Sequence, residues 1–422
     1  MKQLIITLFF LIASTTLLAY DAEIDGIYYN LSGDEAEVTF KEELPKAPYY
    51  ASDYYGDVVI PESVTCNGKT YIVTRIGSHA FYNCSKLTSV SIPGSVTGIE
   101  KYAFWRCRGL TSVSIPGSVT GIGVSSFYEC TSLNSIVLHE GLTSIEGYAF
   151  SGCASLNSVT VPESVTSIGD RAFLNCSSLK SINIPKGVTK LEHVTFSRCI
   201  DLESVTISEG VKSIDSGAFS NCSTLTSITL PASLTSIGQD CFAMCNSLTS
   251  ITIPEGMTSI GYHAFGDCRG LISINIPNSV TNIDMCAFSN CRALASVIIP
   301  SSVTSIGEYA FGRCLALSDV YCYADNVPST TSDAYEDCPI ASATLHVPAG
   351  SVDLYKTTAP WSSFGNIVTI SEGETSIKAY SDNKPLGLFY DLSGRKIANG
   401  QQPIAKGLYI VNGKKVIAGS SH

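Results

Sequence analysis

The sequence predicts a repeat solenoid, mainly of β-structure, in which short coils of equal length stack into long parallel sheets. Two regularities in the 422-residue chain lead to this prediction. Phenylalanine recurs at one constant interval, once in every twenty-three residues, at Phe81, Phe104, Phe127, Phe150, Phe173, Phe196, Phe219, Phe242, Phe265, Phe288 and Phe311. A cysteine lies in the third position after each of them, from Cys84 to Cys314. A fixed period of this length is typical of stacked structural repeats, and no enzyme active site needs it.

One repeat, residues 87–109, begins with the main strand of a coil. Val90 and Ile92 alternate with polar residues, as in a half-buried strand. Pro93 lacks a backbone donor and ends the strand. A coil this short cannot bury its apolar side alone, so its neighbours must cover it. The strands of successive coils are therefore expected to pair in parallel, about 4.8 Å apart.

The rest of the repeat contains a second extended segment and the phenylalanine. Val96 and Ile99 predict another short strand. Ala103, Phe104 and Cys107 have helical spacing, which predicts about one helical turn. Each phenylalanine is expected to stack on its equivalents in the coils before and after it, so that the rings fill the interior.

The periodic cysteines are interpreted as free thiols. Twelve of the sixteen cysteines follow the repeat, because Cys338 continues the series after Tyr335. Neighbouring cysteines would have Cα atoms within disulfide range, but parallel Cβ vectors hold the Cβ atoms too far apart. Buried thiols that behave as small hydrophobes are favoured, and disulfides, which are common in exported proteins, are the alternative.

Composition and the first residues indicate an exported protein. The formal charge of −11 argues against nucleic acid as a partner, and 45% hydrophobic residues argue against disorder. Lys2, the apolar run 4–18 and the small residue Ala19 predict a secretory signal over residues 1–19; a buried first strand is the alternative. No later segment is long and apolar enough for a membrane helix, so the protein without its signal has no integral membrane segment.

The sequence around the repeats predicts caps and a small tail. Residues 25–40 alternate like a β-hairpin, and Asn67-Gly68 is a hairpin turn. At the other end, residues 343–348 repeat the strand, residues 351–358 predict a short helix, and Trp361 and Phe364 are available to close the core. The predicted divisions are a signal peptide at 1–19, an N-terminal β cap at 20–57, the solenoid at 58–340, a C-terminal cap at 341–372 and a small β domain at 373–422.

The pattern Leu-x-x-Val-x-Ile-Pro-x-x-Val-x-x-Ile-Gly-x-x-Ala-Phe-x-x-Cys-x-x resembles the leucine-rich repeats of BspA-like bacterial surface proteins. It lacks the asparagine ladder of the commonest leucine-rich repeat. The resemblance covers about residues 58–340. It implies a curved solenoid displayed on the surface of a bacterium, and some members of the family bind host matrix proteins such as fibronectin or fibrinogen.

Residues 388–397 and 406–416 predict β-strands joined by tight turns. This segment resembles the C-terminal sorting domains of Bacteroidetes proteins exported by the type IX system. The resemblance implies passage across the outer membrane and removal of the tail. A small β-module without a sorting role is the alternative.

The sequence contains no recognisable chemistry, so the protein is predicted not to be an enzyme and to need no cofactor or metal. His79 and His263 occupy the same repeat position, but eight units apart, and the remaining histidines lie in other positions. No two are expected to share a metal ion. Nucleophile triads, phosphate-binding glycine loops and metalloprotease motifs are absent from the sequence.

Two surfaces are candidates for binding. The outward positions of the main strand are rich in Ser and Thr, as in Thr88, Ser89 and Ser91. These hydroxyls offer hydrogen bonds to an extended partner, but the favoured interpretation is that they only make the sheet soluble. The second surface is an aromatic row with neighbouring aromatics and arginines, namely Tyr82, Trp105 and Tyr128 with Tyr102, Tyr148, Arg106 and Arg108.

The aromatic residues of the row lie at one position of three consecutive coils and are expected to stack side by side. Exposed aromatics beside arginine are typical contact anchors for protein partners, and aromatic platforms also suit sugars. Packing over the neighbouring turns as a satellite cluster is the favoured structural alternative.

The leading hypothesis is a secreted or cell-surface scaffold for adhesion or protein–protein interaction, with host extracellular matrix proteins as candidate partners. The alternatives are a surface glycan-binding protein in nutrient capture and a passive spacer.

Overall fold

A computed structural model confirms the predicted fold class. It describes residues 20–41 and 54–370, together with the backbone of four short strands between residues 389 and 417. The predicted signal peptide and the polar end of the chain lie outside the described residues.

Antiparallel strands joined by three hairpin turns form the amino-terminal cap, and hairpins were predicted there. β1 (Ala22–Ile24), β2 (Ile27–Ser32) and β3 (Glu35–Thr39) are antiparallel neighbours. They are followed by β4 (Gly56–Val59), β5 (Ser63–Cys66) and β6 (Lys69–Ile76). Asn67 and Gly68 join β5 to β6 with φ angles of 50° and 78°, the positive values that a tight two-residue hairpin turn requires. β3 then pairs in parallel with β6 and connects the cap to the coils.

The coils contribute two strands each at most, one to a main series and one to a second series. In chain order the strands are β7 (Leu87–Ser91), β8 (Gly98–Ile99), β9 (Ser112–Ile115), β10 (Gly121–Ile122), β11 (Ser135–Leu138), β12 (Ser144–Ile145), β13 (Ser167–Ile168), β14 (Ser181–Ile184), β15 (Lys190–Leu191), β16 (Ser204–Ile207), β17 (Ser213–Ile214), β18 (Ser227–Thr229), β19 (Ser236–Ile237), β20 (Ser259–Ile260), β21 (Ser273–Asn275), β22 (Asn282–Ile283), β23 (Ser296–Ile299), β24 (Ser305–Ile306), β25 (Asp319–Cys322) and β26 (Ser329–Thr330).

Strands of successive coils pair in parallel and in register. In the main series Val90 lies beside Val113, and in the second series Ile99 lies beside Ile122. The two members of each pair are one repeat apart in sequence, so the sequence period is the register of the sheets. Any other offset would move the apolar residues away from their equivalents and expose them.

The phenylalanines stack through the interior, as predicted. All eleven are completely buried, and successive ring centroids lie 4.9–5.5 Å apart with interplanar angles of at most 21°. Tyr335 extends the stack at 5.4 Å from Phe311. Tyr54 closes the amino-terminal end, at 4.5 Å from Phe81. The side chains of Trp361 and Phe364 close the other end by edge contacts with Tyr335.

The predicted helical turn at Ala103–Cys107 is wrong. The segment is a succession of tight turns in which Tyr102 and Arg106 adopt left-handed φ angles of 60° and 57°. Alternate amides bond outward to the next coil: the Phe104 N–H donates to the Ser126 carbonyl at 2.7 Å, whereas the Cys107 N–H donates to the Phe104 carbonyl within the coil. A helix would have kept these donors within the coil, whereas the turns connect adjacent coils and form the third side of the solenoid.

The periodic cysteines are free and mostly buried beside the phenylalanine stack. Each thiol of the series from Cys107 to Cys338 donates to the carbonyl of the phenylalanine of the preceding coil, at 2.9–3.4 Å. Burial raises the pKa of the Cys199 thiol to about 12. The thiols therefore act as small hydrophobic groups that also satisfy one buried acceptor each.

The carboxyl-terminal cap contains the predicted strand and short helix. β27 (Thr344–Val347) and β28 (Asn366–Thr369) extend the main series beyond β25. Between them lie two 3₁₀ turns, Ala349–Ser351 and Trp361–Ser363, and the helix α1 (Val352–Thr357). The Tyr355 hydroxyl on α1 donates to the Ala324 carbonyl at 2.8 Å, so the helix is anchored to the last coil.

In the tail, β29 (Phe389–Tyr390), β30 (Lys396–Ala398), β31 (Leu408–Val411) and β32 (Lys414–Ile417) form an antiparallel sheet. This backbone agrees with the predicted strands. Across the described part of the chain, none of the helices has the length and apolar character of a membrane span.

Candidate interaction surface

The predicted aromatic row exists and lies on the turn side of the solenoid. Tyr82 and Trp105 have ring centroids 4.5 Å apart and an interplanar angle of 4°. Trp105 and Tyr128 follow at 5.8 Å and 7°. All three are half-buried. Because they follow the core phenylalanine directly in sequence, the inter-coil hydrogen bonds that hold the phenylalanine stack also hold this second stack in register.

The row ends after three coils because the same position then carries smaller side chains. Apart from Leu174, the following coils have only small residues there: Ser151, Ser197, Ser220, Ala243, Gly266, Ser289 and Gly312. The aromatic row is thus a local feature of the amino-terminal coils, superimposed on a core that is uniform along the whole array.

Two arginines and one glutamate form a charged cluster beside the row. The Arg106 Nε donates to Glu129 Oε2 at 2.8 Å, and an Arg108 guanidinium nitrogen donates to the same oxygen at 2.9 Å. Burial opposes the ionisation of Glu129, but hydrogen bonds from Arg108 and Arg106 outweigh it and lower the pKa of this carboxyl. Arg108 keeps half of its side chain exposed, so the cluster offers a cation to solvent.

Both faces of the Trp105 ring are covered. Tyr82 stacks on one face, and the Arg106 guanidinium lies over the ring at 4.0 Å from its centroid. Tyr128, in the following coil, stacks over the other face at 5.8 Å. The row therefore presents ring edges, and no open ring face of Trp105, to solvent. A sugar that stacks on an aromatic platform needs an open face, which Trp105 lacks.

The other predicted residues flank the row. Tyr102 contacts His79 at 4.9 Å between ring centroids, and His79 also contacts Tyr82 at 5.3 Å. Burial, with a smaller contribution from Lys101, lowers the pKa of His79. Tyr148 contacts Tyr128 at 6.5 Å. The structure thus brings all seven predicted residues into one continuous surface.

Sequence reasoning missed three members of this surface: His79, Glu129 and Arg171. The Arg171 guanidinium lies 5.4 Å from the centroid of the Tyr148 ring. The repeat spacing could have indicated two of these residues, because Glu129 is one repeat from Arg106, and Arg171 is one repeat from Tyr148. Opposite charges, or a cation and an aromatic ring, at one repeat position predict contacts between neighbouring coils.

The amino-terminal coils are basic in an otherwise acidic chain. Residues 75–108 contain one acidic residue, Glu100, and five basic ones, Arg75, Lys86, Lys101, Arg106 and Arg108, whereas the chain as a whole carries −11. The exposed Lys86 and Lys101 form no ion pair with the described residues. The aromatic row is therefore bordered by positive charge.

Some hydroxyl groups on the main strands form hydrogen bonds within the protein. The Thr111 and Thr226 hydroxyls donate to carbonyls of Thr88 and Glu203 in the coils before them. Thr88 and Ser89 both donate to the same oxygen of Asp57. These contacts fit the favoured interpretation, in which the hydroxyls stabilise and solubilise the sheet.

A second polar cluster, which the sequence reasoning did not predict, surrounds His263 on the turn side. Its Nδ1 lies 2.7 Å from Asp240 Oδ1, and its Nε2 lies 3.7 Å from Asp267 Oδ2. The ring covers Gly266 so closely that a Cβ there would clash with the imidazole. Across residues 20–41 and 54–370 no group of three or more His, Cys, Asp and Glu side chains has the geometry to hold a metal ion.

Comparison with known families gives one clear result. The profile described as a BspA type leucine-rich repeat region matches in six copies, over residues 62–180, 143–248 and 235–355. These matches cover most of the chain and coincide with the stacked coils. A comparison with curated proteins finds no match.

Several solved structures are similar. A leucine-rich cell-surface protein from Faecalibacterium prausnitzii A2-165 is 26% identical, with 84% of this chain and 95% of that chain covered and a TM-score of 0.50. A leucine-rich repeat protein from Bacteroides ovatus ATCC 8483 is 29% identical, with 72% and 94% covered and a TM-score of 0.49. The pneumococcal vaccine antigen PcpA, at 18% identity, has 84% and 98% covered and a TM-score of 0.53, a likeness of fold alone.

Proposed function

Because the chain belongs to the BspA-type leucine-rich repeat family, we propose that it is a surface-exposed or secreted scaffold that binds a protein partner and catalyses no reaction. The similarity to a cell-surface protein supports the location. Host extracellular matrix proteins are the candidate partners. The observation that carries the proposal is the stacked, half-exposed row Tyr82, Trp105 and Tyr128, with Arg106 packed on its tryptophan.

The geometry of the row favours a protein over a sugar. Tryptophan, tyrosine and arginine are the residues that dominate the free energy of protein interfaces. Here the stack holds them in fixed positions before binding, which lowers the entropy lost on association. The exposed groups are ring edges and the half-exposed Arg108 guanidinium, which fit the side chains and backbone of a protein. Glycan binding through the face of Trp105 would require Arg106 to move and give up its contacts with the ring and Glu129.

The charge pattern indicates the chemistry of the partner surface. Residues 75–108 are basic, so an acidic segment is attracted to these coils, and the acidic remainder of the array repels it. Such a contrast accelerates association and orients the partner along the solenoid. Binding at this surface is therefore expected to weaken as salt increases.

Binding by the full chain tests the proposal. Immobilised matrix proteins, including fibronectin and fibrinogen, and a glycan array are probed with the wild type and with Trp105→Ala. Loss of an interface anchor is expected to weaken protein binding at least tenfold. Leu174→Ala is the matched control, because Leu174 occupies the same repeat position outside the row; it should bind within twofold of wild type.

Lys101→Glu gives an independent measurement that leaves the cluster of Arg106, Arg108 and Glu129 intact. Lys101 is exposed and forms no ion pair with the described residues, so the substitution reverses a surface charge with little effect on folding. It is expected to slow association and to reduce the salt dependence of binding. Protein binding that is equal in all three variants would contradict the proposal, and glycan binding lost only in Trp105→Ala would establish the glycan alternative.

We also propose the domain division and the export route predicted from the sequence. The antiparallel strands β29–β32 support a small β domain within residues 373–422 that acts as a sorting tail. Deletion of residues 373–422 should then retain the protein in the periplasm of its own host, detected by fractionation. Unchanged export of the truncated chain would show that the tail has no sorting role.

A further inference from the structure

The outward face of the main sheet changes character in its last four strands. One outward row begins at Ser91 and, apart from Val137, contains only serine, threonine and asparagine as far as Asn275. Its last four members are larger, and most of them are apolar or aromatic: Ile298, Tyr321, His346 and Val368, on β23, β25, β27 and β28. The register pairs each of the four with the next. They therefore form one continuous surface, which we call the carboxyl-terminal stripe.

Contacts within the sheet hold the side chains of the stripe in place. The Tyr321 and His346 rings stack with their centroids 4.1 Å apart and an interplanar angle of 12°. The His346 Nε2 lies 3.1 Å from Oδ1 of Asp319, which shares this outward face and keeps 39% of its side chain exposed. Val368, at the end of the stripe, is 40% exposed. Contiguous apolar groups on a hydroxyl-rich face are typical of a contact site.

The tail of the same chain contains a sheet that needs such a contact. Its strands β29–β32 form a single antiparallel layer. Apart from Lys396, Lys414 and Lys415, these strands consist of apolar and aromatic residues. In β31 four of them follow one another, and alternate residues of a strand lie on opposite faces, so the sequence predicts two apolar faces. A sheet must bury an apolar face against another layer.

The course of the chain brings the tail to the stripe. β28 carries the last member of the stripe, and residues 371–388 connect the end of the solenoid to β29. A random coil of this length spans about 25 Å on average, whereas the stripe extends only about 15 Å from β28 back to β23 at the usual strand spacing. A segment tethered this closely reaches millimolar effective concentration. The tail therefore outcompetes a second copy of the protein for the stripe.

Opposite charges favour the same contact. Although the chain as a whole carries −11, residues 388–417 are basic, with Asp391 as the one acidic residue against Arg395, Lys396, Lys406, Lys414 and Lys415. The end of the solenoid, residues 319–370, is acidic, with Lys356 as its one lysine against Asp319, Asp325, Asp333, Glu336, Asp337 and Asp353. Complementary charge of this kind steers the tail toward the end of the solenoid that carries the stripe.

We propose that the tail, residues 373–422, folds back on its own solenoid and covers the carboxyl-terminal stripe with one face of its sheet. The lysines of the tail then approach Asp319 and the neighbouring carboxylates. The solenoid supplies the second layer that the tail sheet needs, and removal of the tail uncovers an aromatic surface. This contact does not depend on a sorting role of the tail, and it lies at the opposite end of the solenoid from the aromatic row.

Zero-length carbodiimide cross-linking of the full chain, followed by mass spectrometry, tests the contact. In wild type, lysines of the tail should be linked to carboxylates of residues 319–353 within one molecule. Tyr321→Thr and Ile298→Thr introduce the residue that earlier coils carry at this position, as at Thr229, and each should lower the yield of these links at least fivefold. Val137→Thr is the matched control, because Val137 is exposed at the same repeat position outside the stripe; its yield should stay within twofold of wild type.

Tryptic cleavage gives a second measurement that needs no cross-link. The initial rate of cleavage after Lys396, within the tail sheet, should be at least fivefold higher in Tyr321→Thr and Ile298→Thr than in wild type, with the urea midpoint of each variant as the control for an intact solenoid. Cleavage after Lys378, in the connecting segment, should be equal in all variants. The proposal would be overturned by a wild type without links between the tail and residues 319–353, by links that form only between molecules, or by stripe variants that behave like Val137→Thr in both assays.

Discussion

Replacement of one core ring measures how far the coils depend on their stacked interior. Phe196 is completely buried and lies between Phe173, at 5.4 Å, and Phe219, at 5.5 Å. Phe196→Ala removes the ring and leaves a cavity, a change that costs about 3–5 kcal/mol in protein cores. The ring also loses two stacked contacts, each worth about 0.5–1.5 kcal/mol beyond burial, so the expected loss of folding free energy is about 5 kcal/mol.

The structure around the cavity is not expected to relax enough to reduce this loss of folding free energy. The Phe196 amide donates to Ala218 in the next coil at 2.8 Å, and its carbonyl accepts the Cys222 thiol. These bonds hold the coil spacing, so the neighbouring rings cannot close the cavity. Because whole domains are stable by about 5–15 kcal/mol, this variant should lose much of its folding free energy.

Urea unfolding followed by circular dichroism provides the assay. Phe196→Leu keeps much of the apolar volume without the stacked ring and should lose about 1–2 kcal/mol. Thr206→Ala changes an exposed residue of the neighbouring coil and should stay within about 0.5 kcal/mol of wild type. A loss below about 1 kcal/mol for Phe196→Ala would refute the reasoning, because the ring could not then lie in a closely packed interior.

Three further predictions concern buried polar groups and the charged cluster. Tyr335→Phe should raise the melting temperature. The buried Tyr335 hydroxyl has no hydrogen-bond partner among the described residues, and a buried polar group without a partner costs about 1–3 kcal/mol. An unchanged or lower melting temperature would contradict this prediction. Thiol titration of the unfolded, unreduced protein should detect all sixteen thiols, and finding almost none would show that disulfides are present. In the folded protein the half-buried Cys66, Cys286 and Cys338 should react first. The Cys199 thiol, whose pKa is raised by burial to about 12, should stay unreactive at pH 8. The hydrogen bonds from the arginines lower the pKa of Glu129, so they stabilise the fold above the ordinary glutamate pKa of about 4.3. This contribution is lost as the pH falls through the lower pKa of the folded state. The difference in urea midpoint between wild type and Glu129→Gln should therefore shrink below about pH 4, and a difference independent of pH would exclude the charge effect.

The candidate interaction surface was only partly predictable from sequence. The spacing of Tyr82, Trp105 and Tyr128 predicted that they would stack, because equal positions of adjacent coils lie side by side. It did not indicate that Arg106 would lie over the Trp105 ring, nor that Glu129 would hold both arginines. Those contacts depend on which way each side chain leaves a left-handed turn, and the left-handed turn was itself missed.

The sequence by itself determined the stack, its register and its core. With an apolar pattern that repeats at a constant interval along the array, only in-register stacking buries every coil, and no competing arrangement satisfies all eleven phenylalanines. Tertiary structure decided the conformation around each phenylalanine. The local spacing of Ala103, Phe104 and Cys107 is helical, but the segment instead takes positive φ angles at Tyr102 and Arg106, and the alternate amides of Tyr102, Phe104 and Arg106 donate to the next coil. Hydrogen bonds between coils therefore override the local preference, and no short stretch of sequence contains that information.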